Sequence, residues 1–250
     1  MLKHQGIGEE EFVIASYQMN DKGKIALPAI AGIFQEIAGE HAHANGFGFR
    51  QMIEKGHIWV LTRLKIKINS QPAWGDKVNV ATWIVNREKF FSRRDFLIND
   101  KNGNKLIAAA SGWMLLSVQS KRPQLVENIE MDIPMFPDKF SMDAALDKIP
   151  PVEFVESQMD YLVRYSDLDI NKHVNNLQYI RIFLDAFPYN WINSREIKFF
   201  EINYLSEAAI DEELEIITGT RKGEGDTTFF QELIRRKDNK VICRAKTEWT

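Results

Sequence analysis

The chain has one cysteine, Cys243, among its 250 residues. A lone cysteine cannot form an internal disulfide, which fits a cytoplasmic protein. Long apolar runs are missing as well, and none approaches the ~20 residues that a membrane span needs. Charge excess is slight, with 32 Lys and Arg against 35 Asp and Glu. Bulk nucleic-acid binding normally shows as a basic excess, so this balance argues against it. The local clusters Arg93-Arg94, Lys121-Arg122 and Arg235-Arg236-Lys237 read as solvated faces. Histidine is scarce, and no spacing of His, Cys, Asp and Glu suggests a metal site or calls for a cofactor. The stretch from Met1 to Phe12 has neither the apolar core of a secretion signal nor the composition of a transit peptide. Proline is both scarce and clustered. Five of the eight prolines fall between Lys121 and Pro151, and residues 126–152 read as a linker between domains.

On either side of that stretch the same order of elements occurs twice. In the first half an apolar run, Phe12 to Tyr17, meets a turn at Asn20-Asp21-Lys22-Gly23. Pro28 then stands well at the start of a helix, with Ile30, Ile33, Phe34, Ile37 and Ala38 at helical spacing. Four strands follow. Leu64, Ile66 and Ile68 alternate with Lys65 and Lys67, and Asp100-Lys101-Asn102-Gly103 is a strong hairpin signal. The second half has an extended stretch from Phe154 to Tyr165 and then a polar run. A helix with Leu177, Ile180, Leu184 and Phe187 on one face comes next, before four more strands. Asp76 and Asp211, Lys105 and Lys240, and Trp113 and Trp249 pair at nearly one offset.

One strand, a long helix and four strands joined by short turns make an α+β unit, not a parallel βαβ fold. The expectation is two tandem hotdog domains, each an antiparallel sheet wrapped around a long central helix. Their ranges are 1–125 and 153–250. Such domains commonly pair. The tandem would supply the pair within one chain, and a homodimer of chains is also compatible.

The polar run, Asp167-Leu168-Asp169-Ile170-Asn171-Lys172-His173-Val174-Asn175-Asn176, sets polar groups at alternate positions just ahead of an amphipathic segment. It suggests groups that meet a substrate at a helix N-terminus. Asn171 has the N-cap as its structural role. His173 would lie in the first turn, where the helix dipole disfavours imidazolium and leaves the ring available as a base. Asn175, Asn176 and Tyr179 would buttress the helix start or line a pocket rim. The corresponding turn at Asp21 has no histidine, so one active site per chain is expected.

Together with Ile58-Trp59-Val60-Leu61-Thr62-Arg63, Pro72-Ala73-Trp74-Gly75-Asp76, Arg93-Arg94-Asp95 and Ser111-Gly112-Trp113, this run resembles the acyl-(acyl carrier protein) thioesterases of plant plastids and bacteria. The resemblance covers about residues 10 to 250. It implies hydrolysis of fatty acyl-(acyl carrier protein), with that acidic carrier as partner. It also implies catalytic roles for Asp169, Asn171, His173 and Glu207. Plant members often carry Cys beside that Glu, and here the position is Ala208, so a mechanism with that cysteine as nucleophile cannot operate. Cys243 lies in an alternating strand and reads as core. Asp169 or Glu207 would orient His173 or Asn171, while the other would activate water or attack directly. The first domain would then bind the acyl chain. Ile33, Phe34, Ile37 and Trp59 are candidate lining residues, each equally readable as ordinary core. Arg93-Arg94 and Lys198 are candidate contacts for the carrier. An acyl-CoA thioesterase of the same fold, a non-catalytic acyl-binding module and a hotdog dehydratase are the competing readings. The intact Asp/Asn/His set argues against the last two.

Overall fold

The computed structural model describes residues 6–129 and 133–250; His4 lies outside them. The chain divides into two units between Leu146 and Asp147. In the first unit, β1 (Ile7–Val13) leads to α1 (Leu27–Ala44) and α2 (Phe49–Glu54). Then come β2 (His57–Ile68), β3 (Lys77–Glu88), β4 (Phe91–Asp100), β5 (Lys105–Ser117) and the short β6 (Pro123–Gln124). The spatial order is β1-β3-β4-β5-β2, with β6 on β5. The second unit holds β7 (Phe154–Leu162), α3 (Asn176–Asp185), α4 (Tyr189–Asn193), β8 (Ile197–Tyr204), β9 (Glu213–Thr220), β10 (Thr228–Arg235) and β11 (Lys240–Trp249). Its order, β7-β9-β10-β11-β8, is that of the first unit strand for strand, and the named pairings are antiparallel. The chain is therefore the expected α+β duplication of a hotdog unit.

The first strand starts earlier than the apolar pattern suggested. Ile7 to Val13 pair with Trp83 to Lys77 of β3, and the consecutive glutamates lie inside this strand. It is an edge strand. Glu9 and Glu11 are exposed on it, and charge of that kind blocks pairing with another chain. Ser16–Gln18, at the end of the apolar run Phe12 to Tyr17, form a single 3₁₀ turn.

Helix α1 follows its periodicity: Ile30, Ile33, Phe34, Ile37 and His41 are buried along it, and the Phe34 ring meets Phe96 of β4 at 4.8 Å. Burial of a large apolar side chain is worth about 1.5–3 kcal/mol, so this stripe dominates the unit's stability. Helix α3 differs from the expected face. Tyr179, Ile180, Ile182 and Phe183 are its buried residues, Leu177 and Leu184 are only partly covered, and the helix ends before Phe187. Phe187 instead stacks on Trp191 of α4 at 4.9 Å. Helix α1 has 18 residues against 10 in α3, and the Gly46–Gly56 region contributes α2.

Residues 133–146 pack onto the first unit. Ser141 donates from its N–H and its hydroxyl to Asp95 Oδ2, at 2.7 and 2.9 Å. Arg93 Nε donates to Asp95 Oδ1 at 2.8 Å, and its Nη1 donates to Ala144 O at 2.9 Å. Arg93 is thus occupied. Arg94 is buried and donates to Thr82 Oγ1 at 3.1 Å, with His41 Nδ1 also at 3.1 Å. Neither arginine is free to meet an acidic partner, which corrects that part of the docking expectation. Lys198 is paired with Glu196 at 2.7 Å.

Burial, reinforced by the Arg94 charge, pushes the His41 imidazole down to about 4. Burial also lowers the Arg94 guanidinium to about 10, so it stays charged at neutral pH. A histidine depressed in the folded state contributes stability above its unfolded value of about 6.5 and loses it as pH falls toward 4. The expected loss across that window is on the order of 3 kcal/mol. Thermal melts between pH 7.5 and 4.5 test this: His41→Gln should flatten the acid limb relative to the parent, and parallel limbs would contradict it.

Candidate active site

The polar run folds as a tight turn ahead of the helix, not as the helix start. Asp169 N–H donates to His173 O at 2.8 Å, and Lys172 N–H donates to Asp169 O at 3.0 Å. The Asp169 carboxylate closes the turn by accepting Asn171 N–H at 2.8 Å, with His173 N–H at 3.4 Å. Lys172 takes the left-handed conformation, φ 63°. Leu168 bridges Val174, His173 bridges Ala209, and Val174 N–H donates to Ala208 O at 2.9 Å. The N-cap of α3 is Asn175, whose side chain accepts Leu177 N–H at 2.9 Å. The expected N-cap role of Asn171 and the place of His173 in the first helical turn are therefore corrected. His173 sits two residues before the cap, and the dipole argument does not apply to it.

The strand-like bridge to Ala209 positions the imidazole instead. It brings His173 Nδ1 to 3.4 Å from Glu207 Oε2. The two side chains are 42% and 67% exposed, so water reaches both. Asn171 lies on the open side of the same turn, and its Nδ2 has a long contact of 3.4 Å to Asp169 Oδ2. Asp169, Asn171, His173 and Glu207 are thus brought into one surface cluster within the second unit. An imidazole beside a carboxylate can take a proton from water while the carboxylate holds the ring and offsets the charge it acquires. A nearby amide N–H can stabilise an oxyanion. Ala208 is buried and offers no nucleophile. Cys243 is buried in β11 with its thiol pushed well above its ordinary value by burial, which suits a core role.

The first unit contains the same turn, bond for bond. Asn20 N–H donates to Lys24 O at 2.8 Å, Gly23 N–H to Asn20 O at 3.1 Å, and Asn20 Oδ1 accepts Lys22 N–H at 3.0 Å. Gly23 has φ 69°. Met19 bridges Ile25, Lys24 bridges Ala73, and Ile25 N–H donates to Pro72 O at 2.9 Å. Asn20 therefore matches Asp169, Lys22 matches Asn171, Lys24 matches His173 and Gln71 matches Glu207. The equivalent of Asp169 is Asn20. The expected pairing of Asp76 with Asp211 shifts by one. Asp76 matches Glu212, since each carboxylate accepts the N–H three residues back, at 2.9 and 3.1 Å. Asp211 matches Gly75, and both have positive φ, 63° and 83°.

Ile33, Phe34 and Ile37 are buried in the first unit's core. Trp59 is partly buried against a core cluster, with its Nε1 donating to Phe47 O at 3.1 Å. The sequence reading missed Asn175 as the cap. The available signal was an Asn directly before the amphipathic run.

Residues 7–132 match the acyl-ACP thioesterase N-terminal domain, and residues 153–250 match the acyl-ACP thioesterase C-terminal domain. A chloroplastic acyl-[acyl-carrier-protein] hydrolase of Cuphea viscosissima is 30% identical over 96% of this chain. The match spans 61% of that relative's length, so the chain covers about three fifths of it. The crystal structure of an acyl-ACP thioesterase from Bacteroides thetaiotaomicron superposes with a TM-score of 0.82 at 28% identity, covering 98% of each chain. A 12:0-ACP thioesterase from Umbellularia californica gives a TM-score of 0.84 at 26% identity, covering 99% of this chain and 98% of that one.

Asn20 closes its turn with an amide where Asp169 uses a carboxylate. Asp169→Asn should therefore melt close to the parent, while Asp169→Ala should lose about 1 kcal/mol, the usual worth of such a cap. Chemical denaturation checks this, and equal losses in the two variants would contradict it.

Proposed function

The chain belongs to the acyl-ACP thioesterase family, and we propose that it hydrolyses the thioester of fatty acyl-(acyl carrier protein) to the free fatty acid. The observation that carries this reading is the His173–Glu207 pair, built on a turn that recurs in the first unit with Lys24 and Gln71 instead. In the proposed mechanism Glu207 faces Nδ1, so Nε2 is the nitrogen that takes the proton from water. The resulting hydroxide adds to the thioester carbon. Asn171 Nδ2 is the donor that turns toward the carbonyl oxygen as it gains charge. The tetrahedral intermediate collapses, the carbon–sulfur bond breaks, and the proton on His173 passes to the departing thiolate. Asp169 holds the turn: its Oδ1 accepts the Asn171 and His173 N–H groups, and its Oδ2 faces Asn171 Nδ2.

On this reading chemistry occurs once per chain. The first unit, where Ile33, Phe34, Ile37 and Trp59 pack, takes the acyl chain. The acyl carrier protein delivers it on a phosphopantetheine arm. A cytoplasmic setting belongs to the same reading.

Steady-state hydrolysis of one acyl group on carrier protein and on CoA tests the substrate. The carrier thioester should have the higher kcat/KM, and a clear preference for CoA would overturn the assignment. His173→Ala should lower kcat by ~10²-fold or more, the worth of a positioned base. Glu207→Gln should lower it by about tenfold or more. Gln71→Ala, in the copy without the pair, should stay within about twofold of the parent.

A further inference from the structure

Glu207 is exposed, so burial of its own side chain does not fix it. The tie comes from the next residue. Ala208 N–H donates to the hydroxyl of Tyr179 at 3.0 Å, and Tyr179 is 2% exposed. Beside it, at 6.0 Å between ring centroids, the Tyr204 hydroxyl donates to Asn176 O at 3.2 Å. The two tyrosines thus hold the Glu207-Ala208 segment and the start of α3 from beneath. Cys243 pairs with Tyr204 across β8 and β11.

The duplicated scaffold provides an internal comparison. The turn matches place Pro72 opposite Ala208 and Ile30 opposite Tyr179. The β2–β5 register then places Ile68 opposite Tyr204 and Ile107 opposite Cys243. Proline has no N–H to donate, and the three isoleucines are buried and apolar. Backbone geometry is the same in both copies: Ile25 N–H donates to Pro72 O as Val174 N–H does to Ala208 O, each at 2.9 Å. The turn therefore forms without any hydroxyl beneath it. A buried hydroxyl bonded to a buried N–H adds little net stability over an apolar pair of the same shape, so stability alone does not call for it. The hydroxyl is present only under the copy that carries His173 and Glu207.

We infer that Tyr179 is a positioning residue for the reaction: its hydroxyl, through Ala208 N–H, sets the Glu207 carboxylate against His173 Nδ1. This inference rests on the proposed thioesterase reading. It goes further in assigning part of the rate to a side chain that touches neither substrate nor the reacting atoms. Arg235 Nη1 adds a second, weaker tie to the same segment, donating to Glu207 O at 3.3 Å.

The test is a double-mutant cycle of Tyr179→Phe and Ala208→Pro, read as kcat and KM on an acyl-(acyl carrier protein), with thermal melts of each variant. Tyr179→Phe removes the acceptor, and Ala208→Pro removes the donor while copying the first unit. Each should lower kcat by about tenfold with KM within about twofold, because only the approach to the transition state depends on the pair. The double variant should be no slower than the worse single variant, since both break one bond. A kcat within twofold of the parent for folded Tyr179→Phe would overturn the inference. So would multiplying losses, or a fall in kcat matched by an equal rise in KM. His173→Ala, assayed alongside, separates the levels. If it is inert, the active-site reading itself fails; if it is dead while Tyr179→Phe is unaffected, only the positioning role fails.

Discussion

The hydrogen bond from Val174 N–H to Ala208 O, with the bridge from His173 to Ala209 beside it, is the contact on which the site depends. It joins two segments distant in sequence: the turn before α3 and the loop between β8 and β9. Without it, an imidazole on one and a carboxylate on the other would have no common frame. Because the tie is main chain to main chain, it survives changes of side chain. That property lets one scaffold appear twice in the chain with different chemistry.

The first unit keeps the tie and leaves out the reactive groups. Lys24 and Gln71 stand where His173 and Glu207 stand, so the imidazole–carboxylate pair is missing from the first turn. Asn20 does for its turn what Asp169 does for the other, which separates two properties of Asp169. Its hydrogen-bond acceptance is structural and shared, and its charge is particular to the second copy. The polar groups buried beneath the second turn have no counterpart beneath the first. Packing stability therefore comes from the shared apolar stripe, and the differences between copies concentrate around the His173–Glu207 pair.

Much of the architecture was legible from periodicity. Ile30, Ile33, Phe34 and Ile37 marked α1, the alternation around Lys65 and Lys67 marked β2, and the duplicated order marked two hotdog units. The first residues of strand β1 were not legible, because Gly8 and three glutamates carry no apolar alternation. They are held in the strand by pairing with β3, a tertiary effect. The one-residue error at Asp76 and Asp211 arose from matching letters. The backbone matches positive φ at Gly75 and Asp211, and the two carboxylates follow. The four candidate site residues could be named as a set through the resemblance, but their geometry could not. An Asp-x-Asn turn and an Asn N-cap use the same residue types, and Asp169 to Asn175 contains both. Only the register with Ala208 and Ala209 shows which residue does which.

In the proposed mechanism His173 and Glu207 act as one unit on a scaffold that is itself chemically silent. The most direct measurement is the single-turnover rate of acyl-(acyl carrier protein) hydrolysis in His173→Ala, Glu207→Gln and the double variant. If the pair is one unit, the double variant should be within about twofold of His173→Ala alone, because the carboxylate has no ring left to hold. Losses that multiply would contradict the claim, as would a near-parental rate in His173→Ala.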